Sequence, residues 1–65
     1  MKNEKEIAEI ANQILECEEI ISNKNSLGKD VKSAKRKIDN IISLQNFEDL
    51  FMIDDYIMKQ KYLTN

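Results

Sequence analysis

The chain has 65 residues and a mass of 7.6 kDa, with twelve acidic and ten basic side chains, no His, Trp or Pro, one Gly and one Cys. This length holds a single domain, residues 1–65, and a chain so short buries only about 60% of its unfolded surface, so it needs a well-made core or a partner. The lone Cys excludes an intramolecular disulfide, the lack of His removes the common metal-ligand patterns, and no apolar run reaches the roughly 18 residues of a membrane span.

The first ten residues, MKNEKEIAEI, contain no apolar block of the signal-peptide kind, so a cytoplasmic protein is expected. Ten Ile, nine Lys and seven Asn mark a composition drawn from AT-rich codons. This points to an AT-rich bacterium, or to a phage or mobile element living in one.

Hydrophobic periodicity predicts a first helix over residues 4–22. Ile7, Ile10, Ile14, Cys17 and Ile21 recur at alternating steps of three and four, and Ala8, Ala11 and Leu15 widen this stripe to about half the circumference. Asn3 followed by Glu6 is a start signal: the amide oxygen accepts from a first-turn N–H, and the carboxylate lies near the positive helix end. Cys17 falls on the apolar stripe with no base beside it to activate the thiol, so it is expected to be a small buried hydrophobe.

Residues 22–26, SNKNS, compete with helical hydrogen bonds through their own side chains and predict a turn. A second helix is expected over 27–44. Leu27, Val31, Ala34, Ile38, Ile41 and Ile42 share one face, Ser26 is the expected N-cap, and Gly28 weakens the first turn.

A third helix is expected over 47–62, with Asn46 as its cap and Asp49 in its first turn. No Gly or Pro forces a break near residue 45; the cap chemistry alone predicts one. Phe47, Leu50, Phe51, Ile57, Met58 and Tyr62 form a broad apolar face, with Lys59 and Lys61 in the last turn. Asp54 lies in the middle of that face, where an unpaired carboxylate is costly to bury. Glu18 has a comparable place on the first helix. On the other side of the third helix Met52, Tyr56 and Leu63 form a second stripe, with Ile53 between the two. Two neighbouring helices cannot cover a helix that is apolar nearly all round.

The fold class is therefore all-α: two or three antiparallel amphipathic helices in a small bundle, completed by homodimerisation. No stretch alternates apolar and polar residues in the manner of a strand. Net charge is sorted by segment, at −4 for residues 1–22, +4 for 23–46 and −2 for 47–65, which favours opposite charges on adjacent antiparallel helices.

No arrangement of residues supports catalysis, a metal or a cofactor. Adjacent carboxylates such as Asp54 and Asp55 point about 100° apart on a helix and do not converge. An EF-hand loop starting at Asn23 has Gly28 in the right place but lacks acidic ligands. A helix-turn-helix would present Glu48 and Asp49 to the DNA backbone, where both are repelled.

The expected function is that of a non-enzymatic interaction protein, an inhibitor, anti-repressor or adaptor that binds a larger host protein. Its expected contacts are Phe51, Met52, Asp54, Asp55, Tyr56, Met58, Tyr62 and Leu63, since Met and Tyr are frequent at interfaces. A secondary expectation is nucleic-acid association through Lys29, Lys32, Lys35 and Arg36, which could touch phosphates although no aromatic residue is interleaved for stacking. The third is a purely structural oligomerisation part.

Overall fold

The computed structural model describes residues 2–63, which form three helices: α1, Glu4–Ser22; α2, Gly28–Ser43; and α3, Phe47–Leu63. The all-helical class and the three expected segments hold, with ends that differ by one residue at most. The break between α2 and α3 is real.

Local chemistry accounts for most of the helix ends. At α1 the backbone N–H of Glu6 donates to Asn3 Oδ1 at 2.9 Å, and Asn3 N–H donates to Glu6 Oε1 at 3.5 Å, completing a capping box. After α1 the N–H of Asn23 closes on the Glu19 carbonyl, and Asn25 N–H donates to Asn23 Oδ1 at 2.9 Å, so the Asn side chain builds the turn. At α3 the N–H of Asp49 donates to Asn46 Oδ1 at 2.8 Å. The start of α2 departs from expectation. Its N-cap is Leu27, not Ser26, and no side chain accepts from its first amides.

α1 is the central helix. Both α2 and α3 pack on it, and they scarcely touch each other. The core is built from Ile7, Ala11 and Ile14 of α1 with Ile53 and Ile57 of α3, ringed by Ile38 and Ile41 of α2 and by Ile10, Leu15, Met52 and Tyr56. Cys17 and Ala34 are also buried. The half-circumference apolar face of α1 is what lets one helix serve two neighbours.

Two ion pairs mark the direction of α3 relative to α1. Lys2 meets Asp49 near the N-termini of α1 and α3, and Lys61 Nζ meets Glu18 Oε2 at 3.1 Å near their C-termini. α1 and α3 thus run parallel, while α2, joined to each by a short turn, runs against both. Two helices of like net charge therefore lie side by side, each stitched to the other by a Lys of the opposite sign.

The result is broad and shallow. The principal extents are 35 × 29 × 15 Å and the radius of gyration is 12.4 Å, against about 10.7 Å for a compact chain of this length. Because α2 and α3 splay from α1, the middle of the molecule is an open V rather than a closed three-helix prism.

The structure chooses between the two apolar stripes of α3. The face packed on α1 carries Asp49, Ile53 and Ile57, flanked by Met52 and Tyr56. Phe47, Phe51, Met58 and Tyr62 of the broad apolar face are exposed. The physical reason is Asp54, which sits among the outer four. Docking that face on α1 would bury its carboxylate without a partner, and the observed rotation leaves it in water.

Candidate interaction surface

The outer stripe of α3 consists of Phe47, Phe51, Asp54, Met58 and Tyr62, at successive steps of four, three, four and four. These steps keep all five on one side of a helix over its whole length. Phe47, Phe51 and Tyr62 are 74%, 64% and 73% exposed. The two Phe rings meet edge to face, with centroids 5.2 Å apart and planes at 74°. Leu44, in the turn before α3, is also exposed and extends the apolar surface toward α2.

Beside the stripe lies the V. Its groove of about 330 Å³ has a floor of Ile14 and Glu18 from α1, one wall of Ile38 and Ile42 from α2, and another of Leu50, Ile53, Asp54 and Ile57 from α3. A second hollow, formed by Phe47, Leu50, Phe51 and Asp54, shares Leu50 and Asp54 with it. Asp54 therefore stands on the ridge between two apolar hollows. Its carboxylate has no hydrogen-bond or ion-pair partner among the described residues. Glu18, the other acid of the groove, is engaged by Lys61.

The expected contact residues divide into two groups. Phe51, Asp54, Met58, Tyr62 and Leu63 are exposed. Met52 and Tyr56 are half-buried against the core and line a smaller hollow with Glu4, Ile7, Asp55 and Lys59 on the opposite side of α3. Asp55 is held by Lys59 one turn on, at 2.9 Å. Phe47 is not among the expected contacts, yet it stands exposed on the same stripe. The signal that places it outside was in the sequence: it shares a stripe with Asp54.

Lys29, Lys32, Lys35 and Arg36 are all exposed, and none forms an ion pair among the described residues. They are available to solvent or to an anion. Cys17 is buried. Among the described residues no group of His, Cys, Asp and Glu could hold a metal ion, and no helix is long and apolar enough to cross a membrane.

Compared with protein-family models, curated proteins and solved structures, the chain shows no significant match to any of the three.

Proposed function

We propose that this is a non-enzymatic interaction protein that binds a larger protein through the outer face of α3 and the adjoining groove, acting by occlusion or as an adaptor. The observation that carries this reading is the unpartnered stripe of Phe47, Phe51, Met58 and Tyr62 beside the open V. Isolated exposed apolar residues are ordinary, but a contiguous set that includes two Phe rings in contact is the composition of a binding face. A helix laid into a groove is the matching mode of contact.

The test is affinity capture of the tagged chain from its native lysate, after nuclease treatment, in parallel with the double variant Phe47→Ala/Phe51→Ala. A discrete protein retained by the parent and lost by the variant, with helicity unchanged by circular dichroism, supports the reading. Retention by both places the contact elsewhere.

A second reading rests on Lys29, Lys32, Lys35 and Arg36, four of the five cations of α2. Nucleic-acid binding through them is steeply salt-dependent and is lost in Lys32→Glu/Arg36→Glu. Binding that ignores both salt and these substitutions removes that reading.

A further inference from the structure

The chain exposes 5215 Å², whereas a compact folded chain of 7.6 kDa exposes about 4,300 Å². The surplus of several hundred Å² is comparable with one side of a standard protein interface, about 800 Å². The open V and the outer stripe of α3 are where apolar area is left uncovered.

The charge at the centre of this surface discriminates between possible occupants. Two copies pairing α3 on α3, in parallel register or antiparallel about the middle of the stripe, bring Asp54 against Asp54 of the other copy. Asp54 is the third of the five stripe residues, so either arrangement confronts two carboxylates in an apolar setting, at an electrostatic and a desolvation cost. α2 of a second copy does carry cations. However, its outward residues Lys29, Lys32, Lys35, Arg36 and Asp39 are charged, and they cannot cover Phe47, Phe51 and Met58. The cations that stand beside exposed apolar residues of α3, Lys59 and Lys61 near Tyr62 and Leu63, already pair with Asp55 and Glu18 of the same chain.

We infer that the α3 stripe and the groove take a single amphipathic helix from a different protein, with a Lys or Arg at the middle of its apolar face that pairs with Asp54. This rests on the interaction reading above and specifies the partner's chemistry. Apolar residues one and two turns to either side of that cation would enter the hollow of Phe47, Leu50 and Phe51 and the groove of Ile38, Ile42 and Ile57. The carboxylate then acts as a selector: it rejects a helix with an acid or an apolar residue at the same place, since either leaves Asp54 desolvated and unpaired.

The probes are three synthetic 18-residue helical peptides with one common Leu/Ala stripe, differing only in a central Lys, Leu or Glu. Binding to the whole 65-residue chain is measured by fluorescence anisotropy, for the parent, for Asp54→Lys and for Phe47→Ala/Phe51→Ala. The expected result is that the Lys peptide binds the parent about tenfold more tightly than the Glu peptide. Asp54→Lys reverses the order, and the Phe variant weakens all three. Equal binding of the three peptides, still weakened by the Phe variant, overturns the cation selection but leaves the interaction surface standing. No binding by any peptide, together with sedimentation of the chain as a dimer that Phe51→Glu dissociates, overturns the heterologous occupant in favour of a second copy. Binding that the Phe variant does not weaken overturns the surface itself.

Discussion

Lys2 and Asp49 are joined twice: the backbone N–H of Lys2 donates to Asp49 Oδ1 at 3.3 Å, and its ammonium lies 3.4 Å from Oδ2. Asp49 is 1% exposed, while the Lys2 side chain is 30% exposed. The carboxylate thus anchors the residue before the α1 cap to the first turn of α3, 47 positions away. Asp49→Ala removes both bonds and leaves a backbone donor without its acceptor, which costs about 1–3 kcal/mol. Asp49→Asn keeps an oxygen for the N–H and is expected to lose less. Urea denaturation of the two variants checks the order; equal losses would assign the whole effect to the charge.

The unfilled cap of α2 is a place where stability can be added. Leu27 already has the extended backbone of an N-cap, φ −72° and ψ 148°, but its side chain accepts nothing and is 58% exposed. Leu27→Ser or Leu27→Asp supplies the missing acceptor and is expected to stabilise by about 1 kcal/mol, raising Tm by about 4–8 °C in a domain of this size. Gly28→Ala acts in the same direction. A Cβ there meets no atom within 4 Å and the backbone is not left-handed, so a gain of up to about 0.5–1 kcal/mol is expected. Thermal melts followed by circular dichroism test both.

The orientation of α3 is open to a direct mutational check. Ile53 is buried in the core, and Ile53→Ala is expected to cost about 2–5 kcal/mol, a large share of what a small domain has. Phe51→Ala, two residues away and so about 200° around the helix on the outer stripe, is expected to change stability by no more than about 0.5 kcal/mol. If the costs were reversed, the outer stripe would be the packed face and α3 would be docked the other way round.

Cys17 reports on opening. It is buried on α1, so a bulky thiol reagent is expected to label the native chain far more slowly than the chain in urea. The labelling rate should rise with any substitution that destabilises the fold, Ile53→Ala included. Labelling at the unfolded rate under native conditions would show that the α1–α2 contact is not held closed.

Much of this architecture is legible from short stretches of sequence. The Asn3/Glu6 pair starts α1, the Asn23 side chain shapes the turn that follows, and Asn46 starts α3. Each acts within two or three residues, which is why periodicity and cap chemistry place the helices to within a residue. The N-cap of α2 was the exception, because neither Ser26 nor Leu27 supplies a capping bond that would favour one start over the other.

The choice of face on α3 was harder to read. Periodicity finds two apolar stripes on this helix and does not say which one meets α1. The aromatic stripe is the larger, and it carries Asp54, whose burial without a partner is costly. Tertiary packing weighs the same residues differently. Ile53 and Ile57 fit against Ile7, Ala11 and Ile14, and Asp49 finds Lys2, while Asp54 stays in water.

By itself, then, the sequence determined three helices, their boundaries, an all-α class and a chain of segregated charge, because these follow from local hydrogen bonding and from spacing along one helix. Only the tertiary structure decided that α1 is central and that α2 and α3 remain apart. Those outcomes depend on which long-range pairs form, Lys2 with Asp49 and Lys61 with Glu18, and on the cost of burying a carboxylate that has no partner. The same cost leaves Asp54 and its aromatic neighbours at the surface.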